Sequence, residues 1–187
     1  MSRFTPISRE NLSPAQAEVH NAINSGARGG VRGPFRVLLH SPELARRVEQ
    51  LGLYTRFQCK VPERLRELSI TVVARHWQAD YEWYAHAALA LKHGVPEEVM
   101  EAVGAGRRPV FAQEPDEVVY DYVSRLLADG RVSDAVFQCA RALLGEEGVV
   151  DLTGLVGYYT LLALTLNAFE VPVPEDGKVP WRKWPPN

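Results

Sequence analysis

Apolar residues recur along most of the chain at helical spacing, and proline, serine and glycine mark where the helices begin and end. Ser13 is followed three residues later by Gln16, which is the pattern of a capping box, and predicts a helix that ends near Gly26. A serine and a proline then begin a second helix, predicted over residues 41–57. The first third of the chain is therefore expected to be helical.

The middle of the chain predicts a pair of consecutive helices. The first begins at Pro62, keeps a 3.6-residue apolar period and ends near Trp77. The second is expected to take Asp80 as its cap and to end at Gly94 in the left-handed conformation. Further helices are predicted from Pro96 and over residues 115–128, 133–144 and 149–169.

No segment alternates between apolar and polar residues as a strand would, so the sequence predicts an all-α fold of about seven to eight helices. The 187 residues suffice for one core. We expect a single helical domain over residues 1–170, made of N-terminal helices (12–57), a core helix pair (62–94) and C-terminal helices (115–170). Residues 171–187 hold five prolines and two tryptophans and predict an extended tail packed onto some surface.

The composition of the chain limits the classes of partner and the compartment that we expect for it. The net charge of −2 gives no field that would gather nucleic acid. The N-terminal residues MSRFTPISRENLS lack the apolar core of an export signal, so the cytoplasm is the expected compartment. Residues 152–169 carry no charge, but they hold several hydroxyl groups and no basic flanks, which favours a helix buried on all sides over a membrane span.

The two cysteines, Cys59 and Cys139, lack the close spacing of metal sites or redox pairs, and we expect both to be buried apolar fillers. The histidines His20, His40 and His76 have no partners at ligand spacing and are predicted to be structural. Their isolation argues for chemistry elsewhere in the chain.

The stretch DYEWYAH places Glu82 and His86 four residues apart, on the side of the helix that His93 also occupies. One interpretation is a solvated pair worth about 0.2–0.5 kcal/mol to the helix. The other is a histidine oriented by a carboxylate for general acid and base catalysis. Helical spacing alone does not separate the two.

On the preceding helix Glu67 shares a face with Thr71 and Arg75. This face is either solvated or turned toward the next helix. If Glu67 approached His86, two carboxylates and one imidazole would share a site and shift each other's titration. Histidines at i and i+7 suit zinc less well than the i and i+4 pair, so no metal site is predicted.

The segment SGARGGVRGPFR carries Arg28, Arg32 and Arg36 among four glycines. These arginines could clamp a carboxylate with paired hydrogen bonds, or they could stay hydrated on a surface loop. A single RGG triplet in a chain of negative net charge does not make an RNA-binding tract.

The stretch RLRELSITVVARHWQADYEWYAHAALALKHGV resembles the carboxymuconolactone decarboxylase family, whose superfamily includes AhpD-like alkylhydroperoxidases. The similarity extends over roughly residues 33–172. The family's helix-pair signature is an Arg-Glu-Leu triplet, an apolar run, Cys-x-x-Cys-x-x-x-His and a closing glycine. The residues that match it are Arg66, Glu67, Leu68, His86 and Gly94.

The departure from that signature falls on the two cysteines, which are replaced by Ala79 and Glu82. Without a thiolate there is no nucleophile for a peroxide and no disulfide to reduce, so AhpD-like peroxidase activity is not expected. Neither Cys59 nor Cys139 occupies a matching position. The chain therefore resembles the cysteine-free branch of the family.

The resemblance implies an AhpD-like helical bundle that presents Glu67, Glu82 and His86 to a pocket, often beside a subunit interface. It implies a lyase or isomerase without a cofactor, with His86 as the acid and base, acting on a small carboxylate or lactone. Relatives associate, so a homo-oligomer (dimer, trimer or hexamer) is expected. A non-catalytic ligand-binding or assembly protein is the alternative. The predicted substrate-binding residues are Arg28, Arg32, Arg36 and Tyr81.

Overall fold

The structure is a computed structural model that describes residues 2–174 and 177–181. Within those residues the chain forms eight α-helices and no strand, which confirms the all-α prediction. A single turn of 3-10 helix at Arg9–Asn11 precedes them. The α-helices are α1 (Pro14–Ser25), α2 (Pro34–Leu38), α3 (Pro42–Phe57), α4 (Glu63–His76), α5 (Asp80–Lys92), α6 (Glu97–Gly104), α7 (Glu114–Asp129) and α8 (Asp134–Ala168).

Local sequence explains several helix ends. At α1 the Ser13 N–H donates to Gln16 Oε1 at 2.9 Å and the Gln16 N–H donates to Ser13 Oγ at 3.4 Å, so the capping box is formed. Gly94 follows α5 with φ of 89°, in the left-handed region that favours glycine. Gly145, with φ of 72°, interrupts α8 and accounts for the two helices that the sequence predicts there.

Helix α3 follows Ser41 and ends at Phe57, as the sequence predicts. Two local expectations are wrong. The five-residue helix α2 begins inside the glycine-rich segment that the sequence predicts to be a loop, because one turn is too short to show a period. Asp80 does not cap α5, since Ala79 holds the N-cap position and the Asp80 carboxylate instead accepts from Trp181 Nε1 at 2.8 Å.

Helix α4 is the centre of the bundle and packs against α5, α6, α7 and α8. Every residue from Leu65 to Ala74 is buried. Burial of aliphatic side chains such as Leu68 and Ile70 contributes about 1.5–3 kcal/mol each. Glu67 is one of these buried residues and is not solvated, so its charge has to be balanced by a group inside the protein.

Helix α8 is long and apolar enough to cross a membrane, and 56% of its most apolar window is buried inside the protein. The expectation that it is buried on all sides is wrong for one face. Val150 is 70% exposed, and Leu161 and Leu164 also reach the surface.

The cysteine expectation is also wrong. Cys59 is half-buried and Cys139 is exposed, so neither is a fully buried apolar filler. The tail leaves α8 without regular structure, and Trp181 packs edge-on against Trp83 with ring centroids 5.2 Å apart. Trp184, the second tryptophan of the predicted tail, lies outside the described residues.

Candidate active site

Helices α4 and α5 bring Glu67 and His86 together. Oε2 of Glu67 lies 2.7 Å from Nδ1 of His86, although the two residues are nineteen positions apart in sequence. Glu67 is 2% exposed and His86 is 6% exposed, so the pair is sheltered from bulk water. The structure therefore forms the contact that helical spacing left open.

The protonation of this pair follows from its surroundings. Burial raises the pKa of Glu67, but the hydrogen bond and charge of His86, with help from Arg56 and Arg66, outweigh burial and lower that pKa overall. An ionised carboxylate only accepts hydrogen bonds, so Nδ1 of His86 donates. The lone pair of the neutral ring is then on Nε2, which has no hydrogen-bond partner among the described residues.

Glu82 lies one turn before His86 on α5 but does not pair with it. The side chain is 3% exposed, and neither carboxylate oxygen has a hydrogen-bond partner within the described part of the chain. Burial raises the pKa of Glu82 well above its usual value, even though the first turn of a helix favours a negative charge. Glu82 is thus held protonated over a wider pH range than a solvated glutamate.

One cavity of about 310 Å³ exposes these groups to a ligand. His86 and Glu82 line it, whereas Glu67 lies behind His86 and reaches the cavity only through the imidazole. The ring of Tyr159 stands edge-on to His86, with centroids 5.1 Å apart. Burial raises the pKa of Tyr159, so its hydroxyl keeps its proton. The other polar residues of the lining are Arg28, Arg32, Arg56, Tyr81 and Tyr84.

The three arginines of the glycine-rich segment take different places. Arg28 lines the cavity but is engaged in an ion pair with Glu49, and it donates to Tyr158 Oη at 2.8 Å. Arg32 lines the same cavity and has no ion-pair partner among the described carboxylates. Arg36 does not line it and faces a neighbouring cleft instead. The predicted clamp is therefore divided between two cavities.

Sequence analysis missed Arg56 as a site residue. It lies in the last turn of α3, lines the cavity, and its charge lowers the pKa of both Glu67 and Tyr159. Nothing in the local pattern distinguishes it from other arginines at the end of a helix. Only the packing of the helices brings it to the site.

Thiol chemistry has no place in this cavity. Ala79 is fully buried at the N-cap of α5, and the Cys59 thiol donates to the Thr55 carbonyl at 3.0 Å, away from the cavity lining. Cys139 lies on α8 at the surface. As for metals, residues 2–174 and 177–181 contain no cluster of three or more His, Cys, Asp or Glu that could hold an ion. The chemistry available is that of imidazole, carboxyl, phenol and guanidinium groups.

Residues 42–114 match the model of the carboxymuconolactone decarboxylase family, which confirms the family resemblance. No curated protein sequence matches the chain. The matched region contains α4 and α5, and hence Glu67, Glu82 and His86.

Solved structures share the fold at low identity. An uncharacterized peroxidase-related protein with an alkylhydroperoxidase AhpD core, from Ralstonia eutropha JMP134, is 16% identical with a TM-score of 0.75, over 94% of this chain and 93% of that one. A peroxidase-related protein from Silicibacter sp. TM1040 is 13% identical with a TM-score of 0.74, over 94% and 93%. A debrominase Bmp8 variant in complex with 2,3,4-tribromopyrrole is 14% identical with a TM-score of 0.72, over 94% and 95%. These similarities establish an AhpD-like helical fold.

Proposed function

We propose that this chain, with its carboxymuconolactone decarboxylase family region at residues 42–114, is a cofactor-free lyase or isomerase acting on a small carboxylate or lactone. One observation carries the proposal: an imidazole held by a buried carboxylate at 2.7 Å borders a cavity that Glu82 also lines, and burial raises the pKa of that second carboxyl group. Environments that push the pKa values of two carboxyl groups apart supply separate acid and base roles.

The Glu67–His86 pair would act as the base. Nε2 of His86 takes a proton from the carbon next to the substrate carbonyl or carboxylate, and Glu67 stabilises the imidazolium that forms. The electron pair left on the substrate moves to oxygen as an enolate. Arg32 and Arg56 on the cavity wall supply positive charge for that oxygen.

In a decarboxylation the same groups work in the opposite direction. The carbon–carbon bond to the carboxylate breaks, carbon dioxide leaves, and the electron pair stays on the substrate as an enolate. Protonated His86 returns a proton to that carbon and is reprotonated from solvent, so no oxidant or reductant is needed. Glu82 is a second proton donor on the same wall.

The test is proton exchange followed by NMR in D₂O with a panel of small keto acids and lactones. Exchange of the hydrogen next to the carbonyl reports acid–base chemistry even where no net product forms. We expect His86→Ala to lower exchange at least about 100-fold with the fold intact by circular dichroism. His93→Ala is the matched control, since His93 is the C-cap residue of the same helix, lies outside the cavity lining and pairs with exposed Glu63. Full exchange in His86→Ala would overturn the proposal.

A non-catalytic binding protein is the second candidate, and the replacement of both signature cysteines by Ala79 and Glu82 favours it. It predicts ligand binding in the wild type without exchange or turnover for any member of the panel. Calorimetric binding by wild type, with exchange absent in both wild type and His86→Ala, would establish this candidate and reject the lyase.

A further inference from the structure

A second and larger cleft of about 720 Å³ adjoins the cavity that contains His86. Most of its surface is apolar, and residues within 2–6 and 171–174 line it beside α2 and α5. Neither acid–base carboxyl group lines it, so its size alone does not make it the reaction site. Its apolar lining residues include Phe4, Pro6, Val37, Val171, Pro172 and Val173.

The inner cavity and this outer cleft share one wall. Arg32, Tyr81 and Tyr84 line both of them, and the two tyrosine rings stand edge-on with centroids 6.0 Å apart. The boundary is therefore a pair of aromatic rings with one guanidinium group beside them. It is made of side chains, which can rotate to connect the two spaces.

The boundary depends on Gly33. Its φ of 52° is left-handed, and a Cβ at this position would collide with the ring of Tyr81. The backbone of the arginine segment is thus packed directly against the ring. Burial raises the pKa of Tyr81 while the charges of Arg36 and Arg32 lower it, which places both guanidinium groups near the phenol.

Positive charge is concentrated where the two spaces meet. Arg32 lies at the junction, Arg36 lines the outer cleft and Arg56 lines the inner cavity. None of the three forms an ion pair with a carboxylate of the described residues. An apolar cleft that leads past arginines to an acid–base pair suits a ligand with an acidic end and an apolar body.

We infer that the inner cavity and the outer cleft are two compartments of one binding site for carboxylic acids that carry an apolar body. The carboxylate end enters past Arg32 toward His86, and the body remains in the outer cleft. This inference rests on the proposed function and narrows its substrates from small acids in general to acids with an aryl or alkyl extension.

The experiment is calorimetric titration with phenylacetate, 3-phenylpropionate and 4-phenylbutyrate. We expect each added methylene to tighten binding about threefold to fourfold, as the body fills the outer cleft. Val173→Asp places a carboxylate in that cleft and is expected to abolish the gain with length. Val110→Asp is the matched control, because Val110 is 91% exposed between α6 and α7 and lines neither space.

Two further variants keep the test independent of a folding defect in Val173→Asp. Thr5→Trp fills the outer cleft from an exposed residue and is expected to weaken 4-phenylbutyrate at least tenfold while leaving phenylacetate within twofold. Arg32→Gln is expected to remove the preference for 4-phenylbutyrate over its amide.

Affinity that does not change with length, equal gains in Val173→Asp and wild type, or equal binding of acid and amide by wild type would each overturn the inference. These acids report binding alone, so the outcome is independent of proton exchange. If length dependence holds while His86→Ala retains full exchange, the bipartite site stands and the proposed lyase fails. If exchange depends on His86 while length has no effect, the proposed function stands and the bipartite site fails.

Discussion

Nδ1 of His86 lies 2.7 Å from Oε2 of Glu67, across the interface between α5 and α4. Both residues are buried, and Glu67 reaches the cavity only through the imidazole of His86, which lines it. The contact fixes the tautomer of the imidazole, because an ionised carboxylate can only accept a hydrogen bond and the proton of the neutral ring must therefore be on Nδ1. It also directs the basic Nε2 atom away from Glu67.

Glu67→Gln should mix the two imidazole tautomers of His86, since an amide can either accept from or donate to Nδ1. Long-range ¹H–¹⁵N NMR of the neutral ring is expected to show the Nδ1–H form in wild type and both forms in the variant. Proton exchange should fall about 10–100-fold. Glu63→Gln, on the same helix but exposed and paired with His93, is the control. An Nε2–H ring in the wild type would contradict this assignment.

Glu82→Gln should stabilise the protein at neutral and higher pH. Burial raises the folded-state pKa of Glu82, so its favourable contribution is complete below the unfolded value of 4.5 and is lost as pH rises through the folded value. An uncharged amide removes that loss. Urea titrations across pH are expected to give a variant that is more stable than wild type above the folded pKa of Glu82, with the difference vanishing in acid.

Glu67→Gln is expected to change the free energy of unfolding in the opposite direction from Glu82→Gln, and it serves as the control for the sign of that change. The folded-state pKa of Glu67 is lowered overall, so its contribution is present above 4.5 and is lost as pH falls through the folded value. Removing that carboxylate should therefore destabilise the protein at neutral pH and matter less in acid. Stability changes of the same sign for the two variants at neutral pH would contradict the assigned environments.

Sequence analysis predicted the all-α fold because proline, serine and glycine mark helix ends locally. It also identified His86, Glu82 and Glu67 as candidate site residues, but it took Glu82 as the carboxylate that orients His86 and left open whether Glu67 reaches it. Glu82 is the neighbour by helical spacing, whereas Glu67 is the neighbour by helix packing. Arg56 was missed for the same physical reason: a residue on α3 reaches the cavity only through tertiary structure, which periodicity does not encode.

Gly52→Ala should destabilise the buried network that Arg28 forms with Glu49 and Tyr158. A Cβ on this buried α3 residue would overlap both Arg28 Nη2 and the Tyr158 hydroxyl, which are hydrogen-bonded at 2.8 Å. We expect a loss of about 1–3 kcal/mol in the free energy of unfolding by urea. Gly154→Ala on α8, where a Cβ meets open space within one copy, should gain about 0.5–1 kcal/mol when measured at a dilution that keeps the protein monomeric. Equal effects of the two substitutions would show that the network does not depend on Gly52.

Peroxide consumption should be absent in wild type and unchanged in a Cys59→Ser, Cys139→Ser double variant. Neither thiol lines the cavity, and Ala79 and Glu82 occupy the positions of the signature cysteines. A coupled peroxide assay with dithiol reductant checks this. Consumption that disappears in the double variant would restore the peroxidase hypothesis for this chain.

The exposed face of α8 gives the expected self-association a specific surface. Val150, Gly154, Gly157, Leu161 and Leu164 follow one another in steps of four and three, which is the spacing of a seam between two packed helices. The two glycines have open space where a Cβ would be, so the leucines of a second, antiparallel copy would fit beside them. The seam is centred on Gly157, as a two-fold interface requires.

Leu161→Asp should therefore shift the protein to the monomer mass of 20.9 kDa, because a carboxylate within an apolar seam loses its hydration without gaining a partner. Size-exclusion chromatography with light scattering over a concentration series measures the change. Leu91→Asp is the matched control, since Leu91 is 45% exposed on α5 and does not belong to the seam. A wild type that is monomeric at every concentration would reject self-association. An oligomer that survives Leu161→Asp but not Leu91→Asp would place the interface on α5, the helix that carries His86.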